Sequence, residues 1–282
     1  MTFRTRASTA TIAALYDRIS PAVEGAMIDT LKSFARTVPA PRNDPFYGLD
    51  RLYGPPLRTL EHLTAHGDFR KYVFVLDGGG GLGGVARWLT LTYGCRVLVL
   101  DLLPRVLATA SRLTARARLG ARISAVAGSL DAIPVRAATF TQIWSVAALH
   151  HVADRRRALA ELFRVLRPGS TLALHETVRR SESVPMIGGA WRHGTEGEYL
   201  TALMDAGFTT IESHDVTAER TDGSAITRSV EESMIRALAD RAPAEAERWR
   251  ASDTALAEVA AIVASPDYRS VQFFARRPSV EP

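Results

Sequence analysis

Apolar residues along this chain change period several times, and each change marks an element. Between residues 8 and 36, Ile12, Leu15, Tyr16, Ile19, Met27, Ile28 and Leu31 recur at helical spacing, which predicts one or two amphipathic helices. Pro39, Pro41, Pro45, Pro55 and Pro56 then break the pattern and make residues 37–56 an irregular segment. Beyond it the pattern predicts a helix near Leu57–Ala65, a strand Tyr72–Leu76, a helix Leu82–Tyr93, a strand Arg96–Leu100 and a helix Pro104–Leu119. Strands Ile123–Ala127 and Phe140–Val146 follow, then a helix Arg155–Leu166 that Arg167-Pro168-Gly169 stops before a strand Thr171–His175. A helix Glu196–Ala206, a strand Thr210–Val216, two helices within 225–264 and a last strand Ser270–Ala275 complete the reading. Such alternation predicts an α/β fold with a mostly parallel sheet and right-handed crossovers. Two late strands with helices inserted before the last one do not belong to a simple dinucleotide-binding fold.

The segment from Val73 to Leu100, VFVLDGGGGLGGVARWLTLTYGCRVLVL, followed by Asp101, reads strand, glycine loop, helix, strand, acid. An α/β protein binds a ribose-bearing ligand in this way, at the carboxyl ends of its strands. Gly79, Gly81 and Gly83 let backbone approach a ligand, and the helix that follows offers free N–H groups. Two patterns match. Gly79-x-Gly81-x-x-Gly84 fits the dinucleotide fingerprint, and Asp77-x-Gly79-x-Gly81-x-Gly83 fits a loop that binds S-adenosylmethionine. Asp77 discriminates between them: a carboxylate at the strand tip repels a pyrophosphate, by up to about 4 kcal/mol at 4 Å and an effective dielectric of 20. The same carboxylate attracts the ammonium and sulfonium of S-adenosylmethionine, which carries no phosphate.

The chain has 282 residues, 46% of them hydrophobic, enough for one domain with a cap. No apolar run reaches membrane-spanning length, and the basic N-terminus lacks the continuous apolar stretch of a secretory signal. Cys95 is the single cysteine, so no intrachain disulfide and no metal pattern is expected, and a cytoplasmic location is. The net charge of +5 comes almost wholly from arginine, since lysine occurs only at positions 32 and 71. Arg105, Arg112, Arg116, Arg118 and Arg122 dot one predicted helix, and Arg155–Arg157 open another. No aromatic residues interleave these arginines to stack bases, which favours a solvated surface over a nucleic-acid face.

The order of elements, with VLDGGGGLGG, RVLVLD, IWSVAALHHVADRRRALAELFRVLRPGS, EYLTALMDAGF and VQFFARRP, resembles the class I S-adenosylmethionine-dependent methyltransferases over roughly residues 57–278. Within that class it looks closest to enzymes of small molecules: ubiquinone-type C-methyltransferases, sarcosine/dimethylglycine N-methyltransferases and sugar O-methyltransferases of the rebeccamycin type. The resemblance implies a Rossmann-like, seven-stranded sheet with the last strand antiparallel. It implies a helical cap formed by residues 1–56, with insertions at 179–195 and 218–266. Strand four continues into Ser145-Val146-Ala147-Ala148-Leu149 and lacks the Asn/Asp-Pro-Pro-Tyr tetrad of nucleic-acid amino methyltransferases.

By the same resemblance Asp77, Gly79, Gly81 and Gly83 surround the methionyl part of the cofactor, Asp101 holds the ribose and Leu102 lies beside the adenine. Ser129 and Leu130 stand where the family usually reads Gly-Asp-Ala, so the adenine amino group meets a serine oxygen without charge assistance. Ser145, at the tip of strand four, is a further cofactor candidate.

Methyl transfer to a hydroxyl needs a base, and His150 or His151, on the loop after strand four, is the candidate, with Glu176 after strand five assisting. Adjacent side chains diverge, so one imidazole is expected to reach the substrate while the other holds the loop. His175 is expected to point into the packing of the sheet. Phe46, Tyr47, Tyr53, Trp191 and His193 are candidate cap residues, and Glu231 with the helices after it a lid or an oligomer contact. The expectation is a methyltransferase acting on a small hydroxylated metabolite, with a homodimer as the candidate assembly and no metal, nucleic-acid or membrane partner. Methylation at carbon, and a cyclase that holds the cofactor unspent, remain the alternatives.

Overall fold

The computed structural model describes residues 16, 19–40, 42–51, 57–65, 69, 73–187, 189–221 and 225–279. Ser20 starts the first helix, α1 (Pro21–Phe34), by accepting the Val23 N–H at 3.2 Å, with Pro21 in the first turn where no donor is missed. A single turn Leu49–Arg51 and helix α2 (Leu57–Thr64) precede the sheet. Strands β1 (Phe74–Gly78), β2 (Arg96–Asp101) and β3 (Ile123–Ala127) then alternate with α3 (Gly84–Tyr93) and α4 (Pro104–Arg116). β4 (Phe140–Val146), a turn Leu149–His151, α5 (Arg155–Val165) and β5 (Leu166–Arg179) follow. α6 (Glu196–Asp205), opened by a Thr195/Glu198 capping box, leads to β6 (Thr209–Asp215), α7 (Ala225–Arg241), α8 (Pro243–Val263) and β7 (Tyr268–Arg276).

The strands form one sheet in the order β3-β2-β1-β4-β5-β7-β6. β7 inserts antiparallel between β5 and β6, and the pairs among β1 to β5 are parallel. Strand order reverses between β1 and β4, so the loops after them open a crevice at the carboxyl edge. One face buries Leu76, Ile143, Leu159, Leu162 and Leu203, and the other buries Val75, Val97, Trp88 and Leu89. A third cluster joins Met27 and Leu31 of α1 to Val230, Met234 and Leu238 of α7 and Trp249 of α8. It also takes in Leu82 of the glycine loop and Val106 and Leu113 of α4, so helices from both ends of the chain cover the crevice together.

The structure differs from the sequence reading at β5. The strand begins at Leu166, directly after α5, and runs through Pro168 and Gly169. Leu166 pairs with Phe140 and Thr171 with Gln142, so the extra residues form a bulge, where a proline removes no ladder hydrogen bond. Gly169, at φ +75°, donates its N–H to the Arg277 carbonyl at 2.8 Å. α3 ends at Tyr93 as predicted, and the other helices end one to three residues short of the predicted limits.

Candidate active site

At the carboxyl edge of the sheet lies a cavity of about 430 Å³, within the range of small-ligand sites. Its floor is the glycine loop. Gly79 has φ +78°, and a Cβ there would stand 2.3 Å from the Ala148 Cβ, so only glycine lets β1 and the β4 loop close together. Gly79, Gly80 and Gly81 line the cavity, with Leu82, Gly84 and Val85 at the start of α3. Gly83 does not. At φ +77° it caps α3 from beneath, and its role is to turn the chain into the helix.

Asp77 lines the cavity at the tip of β1 and is 1% exposed. Its Oδ2 has no hydrogen-bond partner among the described residues. Burial, and then the neighbouring Asp101 charge, push this carboxyl up to about 7 against the opposing pull of Arg87. Asp101, ending β2, accepts the Gly81 N–H on Oδ2 and the Leu103 N–H on Oδ1, each at 3.0 Å. Burial raises its pKa, and these backbone donors counter the shift. Leu102 and Leu103 continue the wall beside it.

The loop after β3 holds a feature the sequence reading missed. A turn with Ala132 N–H donating to the Ser129 carbonyl at 3.1 Å folds Asp131 back, and the Ser129 hydroxyl donates to its Oδ1 at 2.5 Å. Ser129, Leu130 and Asp131 all line the cavity. A carboxylate is therefore present at this end of the site, two residues later than the family pattern puts it. The turn-forming spacing of Ser129 and Asp131 was the available signal.

Ser145 lies away from the cavity wall. Fully buried in β4, it donates its hydroxyl to the Gly78 carbonyl at 2.9 Å and ties β4 to β1.

The two histidines separate. His151 lines the cavity, and its Nδ1 stands 2.9 Å from the Ala190 carbonyl oxygen. A carbonyl only accepts, so the proton is on Nδ1, and Nε2 keeps its lone pair and accepts the Tyr16 hydroxyl at 3.0 Å. Tyr16 also lines the cavity. His150 does not reach it. Its Nδ1 is 2.9 Å from Glu176 Oε2, and its ring stacks on Trp191 and His193. Glu176, fully buried, accepts the Ala148 and Leu149 N–H groups on Oε1 at 3.0 and 2.8 Å. It thus fixes the backbone of the loop that presents His151, and the described hydrogen bonds leave it no direct bond to that ring. Burial pushes His150, His151 and His193 down to about 3 and the Glu176 carboxyl up.

His175, 7% exposed, stays within the sheet. Of the cap candidates, Phe46 lies against the Arg87 guanidinium, and the Tyr47 hydroxyl donates to the Val38 carbonyl. Glu231 lies on α7, and Tyr53 falls outside the described residues.

Among the described residues Tyr16 and Arg51 are the cap's contributions to the cavity, and neither was a site candidate in the sequence. Among the described lining residues, charged side chains are Asp77, Asp101, Asp131 and Arg51. Such an acidic wall disfavours a pyrophosphate and suits a cationic nucleoside.

The strand order, with its one antiparallel strand second from the edge, and this crevice define the class I methyltransferase fold. The methyltransferase domain family matches residues 76–174. A malonyl-(acyl-carrier protein) O-methyltransferase of Enterobacter lignolyticus is 36% identical over 135 residues, 48% of this chain and 50% of that protein. A glycine/sarcosine/dimethylglycine N-methyltransferase of Actinopolyspora halophila is 30% identical over 166 residues, 56% of this chain and 29% of that protein. The chain thus spans half or less of these two relatives. Among solved structures the cyclase SpnF superposes with a TM-score of 0.62 at 22% identity, covering 79% of this chain and 81% of that one, a likeness of fold. Residues 76–174 thus match a methyltransferase domain, within a fold of the class I methyltransferase type.

Proposed function

We propose that this chain binds S-adenosylmethionine and transfers its methyl group to a hydroxyl of a small acceptor, with His151 receiving the hydroxyl proton. The observation that carries the reading is the arrangement of His151: it lines the cavity that the glycine loop floors, its Nδ1 meets the Ala190 carbonyl, and its Nε2 accepts from the hydroxyl of Tyr16, another lining residue. The residues fit the cofactor. The orphaned Asp77 Oδ2 suits an ammonium, Asp101 keeps lone pairs for ribose hydroxyls, and Ser129 with Asp131 offers acceptors to an adenine amino group.

When bound, S-adenosylmethionine supplies a methyl group on a sulfonium, already activated for displacement. The chain must therefore position the acceptor, exclude water and take up one proton. An acceptor hydroxyl in place of the Tyr16 hydroxyl would donate to His151 Nε2 and point its oxygen into the cavity. Burial makes this imidazole a weak base, which suffices because a hydroxyl oxygen becomes strongly acidic as it gains a methyl group. Glu176 and His150 act one step back, holding the loop and its register. The two relatives' names, an O-methyltransferase of malonyl-(acyl-carrier protein) and an N-methyltransferase of glycine, sarcosine and dimethylglycine, support methyl transfer without fixing the acceptor or the atom methylated.

Purified protein incubated with S-adenosylmethionine and a panel of hydroxylated, amino and alkene acceptors tests this reading. S-adenosylhomocysteine is expected with a hydroxylated acceptor, and His151→Ala should lower kcat by about 10²- to 10⁴-fold. Cofactor binding without any S-adenosylhomocysteine would leave a cage that does not spend its donor. Full activity in His151→Ala would remove the base.

A further inference from the structure

Helix α5 opens against the rule for charges at helix ends. Asp154 caps it by accepting the Arg157 N–H at 3.0 Å, but its first turn then holds Arg155, Arg156 and Arg157 and no acid. A cation in the first turn opposes the helix dipole and is unfavourable unless an anion elsewhere offsets it. Arg156 pairs with Asp205, and Arg157 donates to the Asp131 carbonyl, both at the surface. Arg155 turns inward. Its Nη2 donates to the Arg192 carbonyl at 2.6 Å, and its guanidinium carbon stands 4.3 Å from the centre of the Tyr199 ring. Its Nε is enclosed, with no hydrogen-bond partner among the described residues.

The group that needs this charge is Glu176. It is fully buried, and its described hydrogen bonds come from the Ala148 and Leu149 N–H groups and from His150 Nδ1. His193 stacks on His150 with ring centres 4.6 Å apart and donates its Nδ1–H to the Thr177 carbonyl at 3.0 Å. Burial pushes both imidazoles, and that of His151, down to about 3, so at neutral pH none of them carries a charge to match the carboxylate. The buried Tyr199 hydroxyl is pushed well above its ordinary value and stays protonated. The guanidinium of Arg155, which acts on both Glu176 and His150, is permanently charged. It also holds a second piece of the site. Arg192 donates its N–H to the His150 carbonyl at 2.8 Å and accepts Arg155 on its own carbonyl, and two residues earlier the Ala190 carbonyl meets His151 Nδ1.

We propose that Arg155 is a positioning residue for His151: it balances the buried Glu176 carboxylate and anchors residues 190–193, and through both it keeps the His151 proton on Nδ1. Its catalytic meaning rests on the reading that His151 receives the acceptor's proton. Glu176 sets the backbone on one side of the ring and the Ala190 carbonyl sets the other, and a single guanidinium serves both.

Heteronuclear NMR of the full chain tests this without turnover. The amide signals of Ala148 and Leu149 follow the charge on Glu176, and the imidazole nitrogens of His151 report its tautomer. Removing the cation favours the neutral carboxyl, so in Arg155→Met the midpoint of the amide titration should rise by about one pH unit or more. The His151 Nε2 signal should move in the same variant from that of a bare nitrogen toward the average of the two tautomers. Arg155→Lys keeps the charge and should return both signals to nearly their wild-type values, and Arg155→Gln is the neutral variant if Arg155→Met does not fold. A wild-type value of either readout in the neutral variant overturns the proposal. An equal change in Arg155→Lys overturns it too, since packing alone would then be at work. Full kcat in His151→Ala would instead remove the base, while the two NMR readouts still decide on Arg155.

Discussion

His150 and His151 are consecutive, yet their rings meet different surroundings. The His151 ring is held by a carbonyl on one side and a hydroxyl on the other, at the cavity wall, while the His150 ring is stacked and tied to Glu176. Electrostatics at this scale give a pH signature with two parts. A histidine pushed down to about 3 stays neutral, and so able to accept a proton, at every pH well above that value. kcat should therefore stay flat from pH 8 to 5 with no fall near 6.5. Asp77, pushed up to about 7 in the free protein, loses its charge as pH falls through that value and with it the attraction for an ammonium. kcat/KM for the donor should therefore drop below about pH 7 while kcat holds, and Asp77→Asn should abolish that drop. Steady-state kinetics across this range decide it; a kcat limb near 6.5 would mean that His151 is solvated during turnover. The sequence placed an imidazole at this loop, but the choice between two adjacent rings depends on Ala190, Tyr16 and Glu176, which arrive from distant segments.

At the scale of elements, the glycine loop and α3 are held to the cap by a buried ion pair. Arg87 of α3, fully buried, donates to Asp50 Oδ2 from Nε at 3.0 Å and Nη2 at 2.7 Å. It also donates to the carbonyls of Leu82 and Ala110 and to the Thr114 hydroxyl, joining turn, loop and α4 at one point. Removing one partner of such a pair strands the other charge, at about 3–5 kcal/mol. Asp50→Ala should lower Tm by roughly 10 °C and weaken S-adenosylhomocysteine, and Asp50→Ala with Arg87→Met should recover most of the Tm. Thermal unfolding of the two variants checks this; equal Tm values would show that the charge left in Asp50→Ala costs nothing. Arg87 lies within the helix that the sequence predicts over Leu82–Tyr93. Periodicity gives the buried face of α3 but not the acid, 37 positions earlier in the chain, that meets it.

For the whole molecule, the cap is built from both ends of the chain: α1 packs on α7, α7 on α8, and the same apolar cluster includes Leu82 of the glycine loop. A ligand that touches Tyr16 and Arg51 as well as the sheet edge must stabilise that packing, because it binds the docked arrangement. S-adenosylhomocysteine should slow amide exchange in α1 and α7 as well as in the glycine loop, by hydrogen-exchange mass spectrometry. Protection confined to the loop and β2 would mean that the cap takes no part in binding. No helix among the described residues is long and apolar enough to cross a membrane.

Local pattern determined much of this protein. The alternation of strands and helices, the glycine loop and the acids at the tips of β1 and β2 are written within short windows, where backbone propensity and strand period act. β5 escaped because Arg167-Pro168-Gly169 carries a stop signal that pairing with the Arg277 backbone overrides. Tyr16, Arg51 and Asp131 became cavity residues only through tertiary structure. Their positions depend on a cap closing over the crevice and on a turn folding back, and long-range packing of this kind leaves no period in the sequence.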